Sequence, residues 1–343
     1  MAALNIMQAI VLFFGILVPS FMTTGAQPIG VCNGRNGNNL PSEQDTVRLY
    51  NDNGIGRMRI YDPLRGTLEA LRGTNIELIL DVPNTELESL QDPGAATAWV
   101  QDNILNYPDV QFRYISVGNE VDPDTDTTRY LGFVLPVMRN VHDAIVSAGL
   151  QDQIKVSTAT YSGLIGPNSS PPSQGSFKDN AQGFMKPIIG YLAQNNLPLL
   201  ANIYPYISYL RNPRENLEYA LFKPTNVIVR DGNLEYKNLF DALLDVMYSA
   251  VEKLGGSNIK IVVSESGWPS EGNRGASVEN AQTYYKNLID HVRGNGTPKK
   301  PGTIETFLFA MFDENNKNGE ETERHFGLFN PTTQQPKYQL NFS

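Results

Sequence analysis

Eight short apolar segments recur along the chain, and stretches with helical periodicity separate them. The apolar segments are residues 29–33, 57–61, 77–82, 112–118, 154–159, 198–204, 259–264 and 306–312. The clearest helical stretches are residues 42–52, 95–106, 126–147, 184–195, 238–253 and 278–292. Mainly apolar segments of this length are typical of strands buried on both faces, as in parallel sheets. The sequence therefore predicts an α/β fold built from repeated strand–helix units.

Eight such units close most economically into a (β/α)8 TIM barrel. The alternative is a doubly wound open sheet, but the first strand–helix turn, GVCNGRNGNNLP, lacks the dinucleotide-binding spacing of glycines. Between the predicted sixth and seventh strands, the segment VIVRDGNLEY joins two β-prone runs through Asp231 and Gly232. This pattern predicts a small hairpin inserted at the top of the barrel, where we expect it to wall one side of a cleft. Residues 165–183, rich in Pro, Ser and Gly, are predicted to form a surface loop.

The N-terminus has the pattern of a secretory signal peptide. Residues 10–18 read IVLFFGILV, too short to span a bilayer, and small residues at 24–26 follow. We predict a leader at residues 1–26 and a single barrel domain at residues 27–343, with an uncleaved anchor as the alternative. Once the leader is removed, the expected location is extracellular, with no membrane attachment; a vacuolar location is the less favoured alternative.

Composition argues against several functional classes. The formal net charge of −9 disfavours a phosphate-binding surface, so no nucleic-acid partner is expected. The sole cysteine, Cys32, permits no intramolecular disulfide. The chain has three histidines and lacks HExxH, CxxC and nucleotide-binding loop motifs, so neither a metal nor another cofactor is predicted.

Two glutamates directly follow predicted strands. The fourth strand ends in Asn119-Glu120 and the seventh in Glu265. A carboxylate in this position costs solvation free energy unless it is paired or used, and barrel active sites lie at the carboxyl ends of the strands. The two strands face each other across the barrel mouth, so this pair of carboxyls can flank one glycosidic bond, the arrangement that hydrolyses it. A separation of about 5 to 5.5 Å between them would give retained configuration, and one of about 6.5 to 9.5 Å would give inversion. The alternative is that both glutamates are structural and bind loops.

Other side chains near these strand ends suit a sugar ligand. The amide of Asn119 is placed to bond a sugar hydroxyl, and Trp268 is expected to stack on a pyranose face. The stretches around Glu120, Glu265 and Trp268, and several others along the chain, resemble those of plant β-1,3-glucanases of glycoside hydrolase family 17. The matching stretches are RMRIYDP (57–63), DVPN (81–84), YISVGNE (114–120), IKVSTAT (154–160), PLLANIYPY (198–206), VVSESGWPS (262–270), FAMFDEN (309–315) and FGLF (326–329).

The resemblance implies endo-acting, retaining hydrolysis of β-1,3-glucans such as callose, laminarin and fungal-wall glucan, in plant defence or wall remodelling. It implies that Glu120 is the proton donor and Glu265 the nucleophile. The positions that match the family's substrate groove are Tyr61, Asn119, Tyr204, Trp268, Glu314 and Lys317. Asp81 is expected to be structural. The chain departs from the family at Asn33, where a tyrosine is usual, and at Arg35 and Asn36, where apolar residues are usual; we expect this loop to border the cleft.

Two neighbouring carboxyls cannot both ionise at their free values, and we predict that Glu120 keeps its proton. An acidic pH optimum is expected.

The alternative functions are a mixed-linkage β-1,3-1,4-glucanase, a catalytically silent glucan-binding protein and, with less support, a barrel aldolase or isomerase. The protein is expected to act as a monomer. Sequons at Asn168, Asn295 and Asn341 leave glycan occupancy open.

Overall fold

The computed structural model describes residues 28–342, and the predicted leader at 1–26 lies outside them. Eight parallel strands form a closed barrel, and two further strands form an antiparallel hairpin. In chain order the strands are β1 (Ile29–Cys32), β2 (Arg57–Ile60), β3 (Glu77–Val82), β4 (Gln111–Asn119), β5 (Lys155–Tyr161), β6 (Leu199–Asn202), β7 (Val229–Asp231), β8 (Leu234–Tyr236), β9 (Ile261–Ser266) and β10 (Thr306–Leu308). Around the barrel the order is β1-β10-β9-β6-β5-β4-β3-β2. The predicted (β/α)8 barrel is confirmed.

Helices surround the barrel. They are α1 (Glu43–Asp52), α2 (Arg65–Leu71), α3 (Pro93–Val100), α4 (Leu131–Ser147), α5 (Asp179–Gln194), α6 (Pro205–Arg211), α7 (Leu217–Ala220), α8 (Leu239–Lys253) and α9 (Val278–Val292). Each of the six predicted helical stretches contains or overlaps a helix. The short helices α2, α6 and α7 span two turns or less, which leaves too little sequence for a periodic pattern. Within residues 28–342, no helix is long and apolar enough to cross a membrane.

Side-chain caps explain where several helices begin. Ser42 accepts a hydrogen bond from the Asp45 backbone NH at the start of α1, and Asp92 caps α3 in the same way. Each cap satisfies a backbone donor that the first helical turn leaves unpaired.

The amino-terminal end of the barrel is closed by charged side chains. The carboxylate of Glu305, on the segment leading into β10, lies 3.2 Å from Arg57 and 3.1 Å from Arg113. Burial alone would raise the pKa of Glu305, but the positive charges of Arg57, Arg113 and Lys260 outweigh that effect and hold the pKa below its usual value. This cluster occupies the barrel end opposite the polar cleft.

The predicted hairpin is confirmed as β7 and β8, joined through Asp231 and Gly232, with Gly232 at a φ of +60°. The expectation that it walls the cleft is wrong. None of the described residues 229–236 borders the cavity at the barrel mouth; residues of α6 and α8 do so instead. The hairpin binds the long loop after β5, because Asp231 accepts hydrogen bonds from the backbone NH (2.6 Å) and hydroxyl (2.7 Å) of Ser173.

Candidate active site

A cavity of about 1210 Å³ opens at the carboxyl ends of the barrel strands. Both predicted carboxyls border it, as do five of the six residues expected to bind substrate. These are Glu120 and Glu265, together with Tyr61, Asn119, Tyr204, Glu314 and Lys317. The loop after β1 also lines it through Asn33, Arg35 and Asn36, as predicted.

Glu265 lies in β9 and is held by three donors. Its Oε1 accepts from the hydroxyl of Tyr61 at 2.7 Å and from Nη1 of Arg59 at 2.9 Å. Its Oε2 accepts from the hydroxyl of Tyr204 at 2.7 Å. Burial, with the nearby charge of Glu265, raises the pKa of both tyrosines well above the usual value, so both hydroxyls stay protonated. Three donors thus converge on one buried carboxyl.

Glu120 directly follows β4, in an unusual backbone conformation. Its φ is +50°, a left-handed value that costs free energy for a residue with a side chain, and Gly118 before it has a φ of +74°. The Glu120 backbone NH donates to the Ala159 carbonyl at 2.9 Å, which ties this turn to β5. The turn aims the side chain at Asn202, whose Nδ2 donates to Glu120 Oε1 at 2.7 Å.

The surroundings of Glu120 favour its protonated form. Burial raises the pKa of Glu120 to about 7, and the negative charge of Glu265 adds to the shift. The hydrogen bond from Asn202 acts in the opposite direction without reversing it. The cleft therefore contains one carboxyl whose pKa is raised to about 7, beside a second carboxyl that accepts hydrogen bonds from three donors.

Arg59, which the sequence analysis did not single out, connects these groups. It is fully buried under the cleft and donates to Asp81 at 2.7 and 3.1 Å, to Asn119 Oδ1 at 3.0 Å and to Glu265 at 2.9 Å. Burial raises the pKa of Asp81 to about 6, although Arg59 opposes this shift. Asp81 thus has the structural position expected of it. The available signal for Arg59 is its position between Met58 and Ile60 in a predicted buried strand, where an arginine costs free energy unless the charge is paired.

Glu314 and Lys317 lie on the loop after β10 and are each held by a neighbour. Glu314 is 3% exposed and accepts from the Asn36 backbone NH at 2.8 Å, so it fixes the loop after β1. Lys317 forms an ion pair with Glu323 at 3.1 Å and lies 4.1 Å from the centre of the Phe309 ring. Both side chains present polar groups to the same wall of the cavity.

Trp268 does not border the cavity. The residue is completely buried, its ring packs against Tyr206, Tyr209 and Tyr284, and its Nε1 donates to the Gly275 carbonyl at 2.9 Å. A sugar has no access to a ring in this position. The prediction that Trp268 stacks on a pyranose is therefore wrong, and its role in this structure is packing beneath the α6 wall.

Two carboxyls, Glu120 with a raised pKa and Glu265 with three hydrogen-bond donors, border one cleft at the mouth of a (β/α)8 barrel. This arrangement is typical of glycoside hydrolases. The chain belongs to the glycosyl hydrolases family 17, whose family model matches residues 29–342. It is 62% identical to a glucan endo-1,3-β-glucosidase of Vitis vinifera over 337 residues, which cover 97% of each chain. It is 58% identical to glucan endo-1,3-β-glucosidase A of Solanum lycopersicum over the full length of both.

Solved structures agree with this assignment. The β-1,3-glucanase CJP38, an allergen of Cryptomeria japonica pollen, superposes with a TM-score of 0.88 at 48% identity and covers 92% of this chain and 99% of its own. A second structure, described as one of two plant β-glucan endohydrolases with distinct substrate specificities, has a TM-score of 0.86 at 47% identity, covering 91% and 99%.

Proposed function

We propose that this chain is an endo-acting, retaining hydrolase of β-1,3-glucans. The observation that carries the proposal is the different surroundings of two carboxyls in one cleft. Burial raises the pKa of Glu120 to about 7, whereas Glu265 accepts hydrogen bonds from Tyr61, Tyr204 and Arg59. Hydrolysis of an acetal with retained configuration requires such a pair, one group to give a proton and the other to attack carbon.

In the proposed mechanism Glu265 attacks the anomeric carbon while Glu120 donates its proton to the departing glycosidic oxygen. The bond between the two sugars breaks, and a covalent ester to Glu265 forms. Glu120, now a carboxylate, then takes a proton from water as the water oxygen attacks the same carbon and releases Glu265. No cofactor enters either step.

The substrate follows from kinship and the shape of the site. The relatives that are 62% and 58% identical carry the name glucan endo-1,3-β-glucosidase, and the match extends over nearly the whole chain. The cavity takes lining residues from the loops on both sides of the barrel mouth, which suits an internal segment of a polymer. Within it, Tyr61, Asn119, Tyr204, Glu314 and Lys317 are the proposed substrate contacts.

A mixed-linkage β-1,3-1,4-glucanase is the second candidate. The solved plant β-glucan endohydrolases that share this fold are described as having distinct substrate specificities. The oligosaccharides released from laminarin and from a mixed-linkage glucan distinguish the two activities. We expect rapid cleavage of laminarin at internal bonds; preferential cleavage of the mixed-linkage polymer would favour the second candidate.

The catalytic roles are tested with Glu265→Gln and Glu120→Gln, with the exposed Glu88→Gln as a matched control. Both catalytic variants should lose at least about 100-fold in kcat on laminarin, because each removes a group that takes part in bond breaking. NMR of the wild-type products should show the β-anomer first. Near-normal turnover by Glu265→Gln, or initial release of the α-anomer, would contradict the assignment. Tight binding of oligosaccharide by the wild type, without reducing-sugar release, would instead indicate a silent glucan-binding protein.

Secretion is proposed from the leader predicted at residues 1–26. Protein collected from the medium of secreting cells should begin at Gln27, and an intact N-terminus on membrane-bound protein would indicate an anchor.

A monomeric state is proposed because one chain supplies the residues lining the described cleft, and light scattering of the purified protein checks it. A role in plant defence or wall remodelling follows from the proposed substrate.

A further inference from the structure

We propose that Tyr161 is an aromatic platform that binds the sugar on the leaving-group side of the cleft. This inference deepens the proposed function and rests on it. No sequence motif marks Tyr161, although it is the last residue of a barrel strand and so stands at the level of the site.

The position of Tyr161 places it beside the proposed acid. It is the last residue of β5, and β5 is the direct neighbour of β4, after which Glu120 follows. Two residues before Tyr161, Ala159 accepts the hydrogen bond from the Glu120 backbone NH. The strand that carries Glu265, β9, is separated from β5 by β6. The acid protonates the oxygen that leaves with the released sugar, so a side chain on its side of the cleft faces that sugar.

The ring of Tyr161 is held in place before any ligand binds. Its hydroxyl donates to Oδ2 of Asp122 at 2.5 Å. Asp122 is 1% exposed, and its other carboxylate oxygen accepts from the Asp124 backbone NH at 2.7 Å. The ring also lies against Gly163, where an added Cβ would fall 2.2 Å from ring carbon Cζ. Ring and hydroxyl are thus fixed from two directions.

What Tyr161 offers a ligand is therefore its ring and not its hydroxyl. The side chain is half-buried and borders the cavity together with Ser162 and Gly163. Burial and the bond to Asp122 raise the pKa of the hydroxyl, which keeps it a donor to that carboxylate. An apolar ring fixed in this way suits the C–H face of a glucose unit, and little side-chain entropy is lost when the sugar binds.

A platform here would also affect the second half of the reaction. When a sugar occupies it, a hydroxyl of that sugar can attack the anomeric carbon in place of water. The new C–O bond forms, the ester bond to Glu265 breaks, and the hydroxyl proton passes to the Glu120 carboxylate. The product is a longer oligosaccharide, so occupancy of the platform sets the ratio of transfer to hydrolysis.

The experiment uses a β-glycosyl fluoride of laminaribiose, whose leaving atom is too small to reach the platform, with a β-1,3-gluco-oligosaccharide as acceptor. Tyr161→Ala should lower the transfer-to-hydrolysis ratio about tenfold and leave fluoride release without acceptor within about twofold of wild type. Tyr161→Phe keeps the ring and should retain most transfer. Tyr191→Ala, which removes a partly buried tyrosine of α5 outside the cleft, is the matched control and should behave as wild type.

Unchanged transfer in Tyr161→Ala would overturn the platform. So would an equal loss of fluoride release, which would mean that Tyr161 acts by positioning Glu120. Calorimetric titration of gluco-oligosaccharide into Glu265→Gln, with and without Tyr161→Ala, tests binding without turnover, and we expect about tenfold weaker affinity. If the wild type fails to hydrolyse the fluoride, the proposed function has failed, whereas the titration still decides whether Tyr161 binds sugar.

Discussion

Arg59 donates from Nη1 to Oε1 of Glu265 across 2.9 Å, and both side chains are buried. An arginine taken wholly out of water is costly unless carboxylates and hydrogen bonds offset the lost hydration. Here Asp81 provides one carboxylate, at 2.7 Å, and Glu265 the other. The same guanidinium also donates to Asn119, next to Glu120. One planar group therefore sets the spacing between β3, β4 and β9 at the level where the two carboxyls meet.

Replacing Arg59 by Lys should distinguish the effect of its positive charge from the effect of its donor geometry. A lysine keeps the positive charge but lacks the planar set of donors that contacts Asp81, Asn119 and Glu265 together. We expect kcat on laminarin to fall about 100-fold, because Glu265 loses a donor and its alignment. The free energy of unfolding should fall by about 3 kcal/mol, because buried acceptors lose their partner. Urea unfolding and steady-state kinetics check this. Arg48→Lys, at an arginine that is 60% exposed, is the control; a wild-type-like Arg59→Lys would contradict the prediction.

The pH dependence of catalysis follows from Glu120. This group must be protonated to act as the acid, and its pKa of about 7 means that the active form is lost as pH rises through neutrality. We expect kcat/KM on laminarin to be highest in mildly acidic solution and to fall about tenfold per pH unit above about 7. Initial rates from pH 4 to pH 9 in buffers of constant ionic strength measure the profile. A rate that keeps rising above pH 8 would show that Glu120 is not the acid.

The barrel and its two carboxyls could be predicted because both depend on local order along the chain. The carboxyl end of a strand lies where its apolar run stops, so the sequence pattern alone predicts that Glu120 and Glu265 lie at strand ends. Arg59 and Asn202 differ, because their importance comes from partners far along the chain: Asn202 donates to Glu120, 82 residues away, and Arg59 donates to Glu265, 206 residues away. No local pattern encodes these pairings.

Trp268 illustrates the opposite error. Its place just after β9 resembles that of a cleft residue, but the direction of its ring depends on Tyr206 and Tyr284, which belong to other elements. An aromatic beside a strand end can face either the cavity or the layer of helices. The wrong position predicted for the hairpin has the same cause. Asp231-Gly232 predicts the turn locally, but no local pattern indicates that Asp231 binds Ser173.

The corrected role of Trp268 has a measurable consequence. Trp268→Ala should lower the free energy of unfolding by about 3 to 5 kcal/mol, since it empties a fully buried site among aromatic rings. Trp268→Phe should cost less and should leave KM for laminarin close to wild type, because no sugar touches this ring. Urea unfolding monitored by circular dichroism and oligosaccharide titration check the two statements. Weakened oligosaccharide binding in a fully stable Trp268→Phe variant would show that Trp268 contacts the substrate.

The charged cluster at the opposite barrel end predicts a pH-dependent stability. Arg57 is 5% exposed and pairs with two carboxylates, Glu305 and Glu77. Glu305→Gln leaves this buried positive charge with Glu77 alone and should cost about 2 kcal/mol at pH 7. The pKa of Glu305 is lowered in the folded state, so its contribution is full above the unfolded value of about 4.3 and is lost as pH falls through the lower, folded value. Urea unfolding at pH 7 and at pH 3 should therefore show the difference between wild type and variant shrinking in acid.

Glu235→Gln, at an exposed ion pair with Arg230, is the control and should change stability by less than about 1 kcal/mol at either pH. A Glu305→Gln difference that stays constant between the two pH values would mean that packing, and not the carboxylate charge, accounts for the role of Glu305.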